Sequence, residues 1–299
     1  MIKVKDVTKR FGNITAVDRA CFSLNAGESL ALLGVNGAGK STLIKCVLGI
    51  LDYSGEITLN GLNIKENEKE AKSLAGYVPQ EPLFYDMRTR DVLGFFGSIR
   101  RVRSSRVDEV LDLVGLREHE RKSTSELSGG MRQRLSFAIA LLSDPEVLIL
   151  DEPTSNLDAG ARGDFLNLIK EYKNKGKTVL FSSHRLDEVD LLADRALFME
   201  SGKVVFEGRP ENLQELLGLK ININLVVPQG SVERAIGILA REGFHNAESN
   251  GRGLNIETDS KQRVDVLKKL LQEEIPISDF KIQEPSMENI IDRIKENGY

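Results

Sequence analysis

The sequence predicts an α/β phosphate-loop (P-loop) domain over residues 1–215, followed by a small α+β domain over residues 220–299. Three observations support this fold class. A glycine-rich loop stands between a short apolar run and a helical segment, the usual setting of a phosphate-binding loop in a sheet core. A helical subdomain interrupts the strands at about residues 88–142. The strand pattern then restarts on a smaller scale after residue 220, which indicates a second core.

The composition is that of a globular protein with room for about two domains in 299 residues. Hydrophobic residues make up 40% and charged residues 29%, and the net charge is −4. Because nucleic-acid binding usually shows as a basic domain, we expect no nucleic-acid partner. Cys21 and Cys46 lack metal-ligand spacing, so we expect a reduced compartment and a packing role for both.

Membrane-spanning segments are not expected from the sequence. Its apolar runs, such as residues 137–142, are much shorter than the roughly 18 residues that cross a bilayer. The first residues include Asp6 and lack the apolar stretch of a signal peptide. We therefore expect a cytoplasmic protein that would serve a membrane from outside the bilayer.

The strands of the first domain are predicted from alternation or from apolar runs bounded by turn residues. They are residues 2–7, 17–24, 29–33, 55–61, 75–79, 147–150 and 178–182, with two more about Gly202 within 195–207. Two of these runs, 147–150 and 178–182, suit parallel strands buried on both faces of a mixed sheet. Residues 9–12 are interpreted as a turn and residues 65–72 as a charged connection.

Helices are predicted where apolar residues recur at spacings of three and four. In the helical subdomain, Val107, Val110, Leu111 and Val114 follow this spacing between charged residues. A further helix runs from the segment 127–131 to Leu142, and a charged helix covers residues 160–175.

The second domain is predicted to have the order β-α-β-β-α-β, which is the ferredoxin-like arrangement. Ser231 and Ser260 are expected to cap its helices, and Asn250 with Gly251 to form a tight turn. The apolar helix residues are Val232, Ile236, Leu239 and Ala240, then Val264, Leu267, Leu270 and Leu271. A last helix capped by Ser286 carries Ile290, Ile291 and Ile294, and a short helix at 213–217 joins the domains.

The glycine-rich loop has the pattern G-x-x-x-x-G-K-[ST], whose backbone N–H groups converge on phosphate oxygens. Lys40 can place its charge beside the β- and γ-phosphates, and the Ser41 hydroxyl can face Mg²⁺. The alternative is a strand–helix turn with a solvated lysine. The expected nucleotide-binding residues of the loop are Gly34, Asn36, Gly37, Ala38, Gly39, Lys40, Ser41 and Thr42.

A pair of acids, Asp151 and Glu152, follows the apolar strand 147–150. Open α/β sheets bind their ligands at such carboxyl ends. Asp151 can hold Mg²⁺, directly or through water, and Glu152 can act as the general base for an attacking water. The alternative is a solvated strand end.

Further motifs give the sequence a specific resemblance over roughly residues 1–215. Residues 127–131, Leu-Ser-Gly-Gly-Met, resemble the signature motif of the ATP-binding cassette (ABC) ATPases, which are the motor subunits of ABC transporters. Gln80 matches that family's Q-loop glutamine, Asp158 its D-loop and His184 its switch histidine. Phe11 stands where the family has an aromatic ring, more often tyrosine, that stacks on adenine.

The resemblance implies ATP and Mg²⁺ as ligands, with Gln80 also near the metal and with Glu152, His184 and Gln80 in catalytic roles. It implies a homodimer, or a heterodimer with a second ABC ATPase, that shares two ATP sites. In such a dimer Ser128, Gly129 and Gly130 of one copy complete the site of the other, and Asp158 is a further expected nucleotide-binding residue. The start of the helix after residue 128 is by itself a second anion-binding N-terminus or a plain helix cap.

The resemblance also implies integral membrane permease subunits as partners and a peripheral position on the inner face of the cell membrane. The single cassette with a C-terminal appendage looks most like the ABC-2 exporter group, although import stays open. Residues 83–85 are apolar for a loop, which indicates either the permease contact or a satellite core.

Two other classes of function remain as alternatives. A soluble mechanical ATPase for DNA repair or translation is one, and a wholly ribosome- or DNA-bound protein would favour it. The other treats residues 220–299 as a ligand-sensing module, although a dimerisation or docking surface is the preferred interpretation of that domain.

Overall fold

The structure is a computed structural model that describes residues 1–210, 219–283, 285 and 287–296. Contacts divide the chain after Pro210 into two compact units, which are described separately. The expected junction helix at 213–217 and the expected cap Ser286 lie outside the described residues, as do the side chains of Ile291 and Ile294. No helix of the described part is both long and apolar enough to cross a membrane.

A mixed six-stranded sheet forms the centre of the first unit, as the sequence predicts. Its strands, in spatial order and numbered along the chain, are β10 (Lys203–Gly208), β9 (Arg195–Glu200), β3 (Ser29–Leu33), β8 (Thr178–Ser183), β7 (Val147–Leu150) and β6 (Ala75–Val78). The last five run parallel, and β10 is antiparallel to β9. Every residue of β3, β7 and β8 is buried, which explains why these runs are apolar.

An antiparallel sheet of four strands completes the strand content of this unit's described residues. Its spatial order is β2 (Ile14–Leu24), β1 (Ile2–Phe11), β4 (Ser54–Leu59) and β5 (Leu62–Asn63). The expected turn at 9–12 is wrong, because β1 continues to Phe11 and pairs it with Ile14. Register shifts after Val4 break the alternation that would have revealed the longer strand.

The helices of the first unit are α1 (Lys40–Val47), α2 (Glu68–Ser73), α3 (Thr89–Ile99), α4 (Ser104–Leu113), α5 (Gly129–Leu141), α6 (Ala159–Asn174) and α7 (Leu186–Leu192). The residues predicted to form the helical face of α4 are buried. The charged connection at 65–72 is corrected to helix α2, whose sole buried residue is Ala71, too little for a periodic signal. Helix α7 is also absent from the sequence prediction.

The second unit contains β11 (Lys220–Val226), α8 (Val232–Arg241), β12 (Ala247–Ser249), β13 (Gly253–Asp259), α9 (Arg263–Gln272), β14 (Asp279–Gln283) and α10 (Met287–Glu296). Its antiparallel sheet has the order β12-β13-β11-β14. The β-α-β-β-α-β order up to β14 is the predicted one.

Details of the second unit's helices differ from the expectation. Ser231 and Ser260 lie in short 3₁₀ turns that precede α8 and α9, and the side chain of neither residue caps the following helix. On α9, Val266 and Leu270 are buried, whereas Val264 and Leu271 are 50% and 61% exposed. The sheet therefore uses a narrower stripe of this helix than its apolar residues suggest.

The two cysteines differ in accessibility, which gives a test of the packing around α1. Cys46 on α1 is fully buried, and burial raises the pKa of its thiol to about 11. Cys21 is exposed. Because only the thiolate reacts, Ellman's reagent should label Cys21 promptly and Cys46 only after unfolding in denaturant. Cys21→Ser should abolish the prompt reaction, and two prompt thiols in the native protein would contradict the structure.

Candidate nucleotide-binding and hydrolytic site

The glycine-rich loop follows β3 and curls tightly into α1. A Cβ atom on Gly34 would lie 2.3 Å from the carbonyl oxygen of Met199, and one on Gly39 would lie 2.3 Å from that of Ala16. Both glycines also have positive φ angles, 150° and 103°, that other residues rarely adopt. The loop can thus approach its neighbours closely only with glycine at these positions.

Lys40, the first residue of α1, is buried to 4% exposure and turns its ammonium group back into the loop. Its Nζ donates to the carbonyl oxygens of Gly34 at 2.8 Å and Val35 at 3.1 Å. It also forms an ion pair with Glu152, with 3.0 Å between Nζ and Oε1. The lysine is therefore the cation that neutralises a buried carboxylate at the end of the neighbouring strands.

The Asp151 carboxylate links the loop to the sheet. Its Oδ1 accepts hydrogen bonds from the Ser41 hydroxyl at 2.9 Å and the Ser182 hydroxyl at 2.8 Å. Burial, followed by the charge of Asp151, raises the pKa of Tyr77 to about 12. Both effects favour the neutral phenol over the phenolate.

Glu152 adopts a backbone conformation that is unfavourable for a residue with a side chain. Its φ is 40°, in the left-handed region, and such strain clusters at functional sites. The Ser182 hydroxyl accepts a hydrogen bond from the Glu152 N–H at 2.9 Å, which helps to hold this conformation. The strained backbone directs a buried carboxylate towards Lys40.

Two more predicted residues converge on the same carboxylate. The Gln80 side chain donates from Nε2 to Glu152 Oε2 at 3.2 Å. His184 Nδ1 lies 3.5 Å from the same oxygen. Gln80, Glu152 and His184 follow β6, β7 and β8, and the loop follows β3, so parallel strands bring all four segments to one edge.

A pocket of about 270 Å³ opens beside this constellation. Its lining comprises Ala16, Asn36, Gly37, Gly39, Lys40, Ser41, Thr42, Gln80 and Glu152. Two residues of the loop that were predicted to bind nucleotide, Gly34 and Ala38, do not line this pocket. Ala38 is buried and its N–H donates to Val35 O at 3.2 Å, whereas Gly34 supplies the carbonyl that holds Lys40.

Phe11 lies at the end of β1, beside the β1–β2 turn. Its ring is 47% exposed, and Lys9 Nζ lies 5.0 Å from the ring centroid. An exposed aromatic face with a cation near it can accept a stacking ligand.

The signature residues and Asp158 form a second, separate cluster. Ser128 caps α5 and its Oγ accepts from Met131 N at 3.3 Å, while Asp158 caps α6 and accepts from Ala161 N at 2.9 Å. A Cβ on Gly130 would lie 3.0 Å from the Ala161 Cβ, so glycine lets α5 approach α6. Ser128 and Asp158 are exposed and stand outside the pocket lining described above.

The apolar loop after Gln80 is exposed rather than packed. Leu83 is 92% and Tyr85 88% exposed, so a satellite core under the helical subdomain is not formed by these two side chains. Thr124 donates from Oγ1 to the Tyr85 carbonyl at 2.8 Å, which fastens the loop to the helical subdomain.

Sequence reasoning misses Ser182, although its hydroxyl contacts both members of the acid pair. One feature of the sequence could have identified it. Ser182 is a polar residue at the carboxyl end of an apolar strand, and a buried hydroxyl there needs a hydrogen-bond partner. It also misses the direct pairing of Lys40 with Glu152, because motifs assign each of them to a ligand and not to each other.

Comparisons with known proteins find related sequences. A family profile described as ABC transporter matches residues 17–155. The linearmycin resistance ATP-binding protein LnrL of Bacillus subtilis is 33% identical over 97% of this chain and 96% of its own length. The Nod factor export ATP-binding protein I of Rhizobium meliloti is 37% identical over 74% of this chain and 68% of its own.

Solved structures give the same result. A nucleotide-free ATP-binding cassette from an ABC transporter superposes with a TM-score of 0.67 at 26% identity, covering 73% of this chain and 95% of that one. The cbiO1 protein of Clostridium perfringens, part of the ABC transporter complex cbiONQ, gives 0.65 at 27% identity over 81% and 96%. The α/β fold with a mixed sheet is thereby confirmed for the first unit.

Proposed function

This chain belongs to the ATP-binding subunits of ABC transporters, and from that premise we propose that its ATP hydrolysis at Glu152 powers export by separate membrane subunits. The observation that carries the proposal is the convergence of Lys40, Gln80 and His184 on the Glu152 carboxylate beside a phosphate loop. Hydrolysis of a phosphoanhydride needs a general base, here Glu152, and a phosphate-binding cation, here Lys40. Gln80 and His184 are the polar side chains that would respond to the bound ligand.

ATP binding exchanges the partner of Lys40. The phosphates of ATP carry more negative charge than one carboxylate, and the loop's N–H groups favour anions at the same place. We infer that Lys40 turns from Glu152 to the β- and γ-phosphates. The released Glu152 carboxylate is then free to accept a proton from the attacking water.

The side chains near the loop suit Mg²⁺. Ser41 Oγ and Asp151 Oδ1 lie 2.9 Å apart, and both are oxygen donors of the kind this cation prefers. The described residues contain no group of three or more His, Cys, Asp or Glu placed to hold a metal ion. Few protein ligands, with water and phosphate oxygens as the others, is the usual arrangement for Mg²⁺. Bound with ATP, the ion would neutralise charge on the phosphates, with Gln80 close by.

Two copies of the chain, or this chain and a second ABC ATPase, are proposed to share their ATP sites. Ser128, Gly129 and Asp158 are exposed and Gly130 is half-buried, and none of the four lines the phosphate-loop pocket of its own chain. Helix α5 begins there with an anion-binding N-terminus. The cluster of one copy is thus available to close on the γ-phosphate held by the other, while Phe11 stacks on adenine.

Export through a permease is the proposed physiological role. The named activities of two relatives, linearmycin resistance and Nod factor export, favour export over import. The exposed Leu83 and Tyr85 are proposed to contact the permease at the inner face of the membrane. The same names favour a transporter over a mechanical ATPase of repair or translation. The second unit is proposed to serve dimerisation or docking.

Lys40→Ala tests nucleotide binding. Loss of charge-assisted hydrogen bonds of about 1.5–3 kcal/mol should weaken the binding of a fluorescent ATP analogue by about 10- to 150-fold. Lys45→Ala on the exposed side of α1 is the matched control and should bind normally. Because Lys40→Ala leaves Glu152 buried without its cation, Lys40→Ala with Glu152→Gln separates destabilisation from lost affinity. Normal affinity in Lys40→Ala would contradict the proposal.

Glu152→Gln tests hydrolysis. An amide cannot take the proton of water, so turnover should fall by about 10²- to 10⁴-fold while ATP binding persists. Phosphate release and equilibrium binding measure the two properties separately. Glu146→Gln, an exposed acid just before β7, should hydrolyse ATP at the normal rate. Near-normal turnover by Glu152→Gln would remove this residue from the role of base.

A further inference from the structure

A buried carboxylate that no sequence motif identifies lies next to the segments that carry Glu152 and His184. Glu188 on α7 is only 2% exposed. Burying a carboxylate is costly unless hydrogen bonds and charges compensate for its lost water. Its partners therefore indicate what the residue is held there to do.

Each oxygen of Glu188 accepts a hydrogen bond from a buried hydroxyl. Thr154 donates from Oγ1 to Oε1 at 2.5 Å, and Ser183 donates from Oγ to Oε2 at 2.7 Å. Thr154 and Ser183 are 4% and 2% exposed. The Nε atom of Arg185 lies 3.7 Å from Oε1 and supplies a positive charge.

These two hydroxyls belong to the segments that carry Glu152 and His184, which are called the hydrolytic pair below. Thr154 follows Glu152 by two residues, and Ser183 directly precedes His184. The pair itself meets with 3.5 Å between His184 Nδ1 and Glu152 Oε2. Glu188 thus fastens the chain after β7 to the end of β8 at the point where the relative position of the two side chains is set.

We propose that Glu188 is a positioning residue that fixes the distance and orientation of His184 relative to Glu152. The inference rests on the proposed hydrolysis at Glu152 and adds a residue that acts through both side chains. Small displacements of catalytic groups can cost about 100-fold in rate, so a clamp at this point has a catalytic consequence. A residue that serves packing alone would alter unfolding but not turnover by the folded chain.

The test uses Glu188→Gln in the full chain. The side-chain amide keeps the shape but replaces one carboxylate oxygen with an NH₂ donor, so one hydroxyl loses its acceptor and Arg185 loses the negative charge that faces it. We expect single-turnover hydrolysis to slow by about 10-fold, within the range that misplaced groups produce, with ATP affinity changed by less than about twofold. Glu171→Gln, the same change at an exposed acid of α6, is the matched control and should leave the rate unchanged.

A double-mutant cycle with His184→Ala separates positioning from general stability. If Glu188 acts by placing His184 against Glu152, Glu188→Gln should slow the His184→Ala variant by less than about twofold. Thr154→Val and Ser183→Ala each remove one hydroxyl and should reproduce part of the loss, so the proposal stays testable if Glu188→Gln folds poorly.

Unchanged turnover in Glu188→Gln, or an equal loss with and without His184, would overturn the inference. A change in ATP affinity with no change in turnover would do the same. These outcomes differ from failure of the proposed function, in which Glu152→Gln itself hydrolyses ATP normally.

Discussion

The ion pair between Lys40 and Glu152 is the interaction on which the rest of the site depends. Both groups are buried, their charged atoms are 3.0 Å apart, and each would be costly to bury without the other. The residues of the pair are positioned by the strained backbone of Glu152 on one side and by the tight turn of the glycine-rich loop on the other. Under the proposed function, a phosphate that attracts Lys40 would release the Glu152 carboxylate, and this one contact would couple ATP binding to hydrolysis.

The parallel sheet is what makes this contact available. Strands β3, β6, β7 and β8 all end at one edge, and the segment that follows each strand supplies one part of the site. Ser182 then connects the acid pair from behind by accepting from Glu152 N and donating to Asp151. The signature residues do not line the pocket beside the phosphate loop, which is consistent with a site completed by a second copy.

The sequence predicts most of the sheet and the motif residues, because these depend on buried apolar runs and on fixed local patterns. It fails where a signal is weak or non-local. Helix α2 buries only Ala71, and β1 loses its alternation at bulges, so neither has a clear period. Ser182 contacts Glu152, and Glu188 contacts Thr154, across separations of 30 and 34 residues, which no local pattern reports. The contacts of Ser182 and Glu188 are therefore visible only in the folded structure.

The most direct test of this account is a crystal structure of the chain with Mg²⁺ and a non-hydrolysable ATP analogue. With the analogue bound, Lys40 Nζ should contact β- and γ-phosphate oxygens and lie more than about 4 Å, the limit of an ion pair, from the Glu152 carboxylate. Glu152 should then face the γ-phosphate with Gln80 and His184 still beside it. A Lys40–Glu152 pair that stays intact with the analogue bound would contradict the coupling of binding to the release of the base.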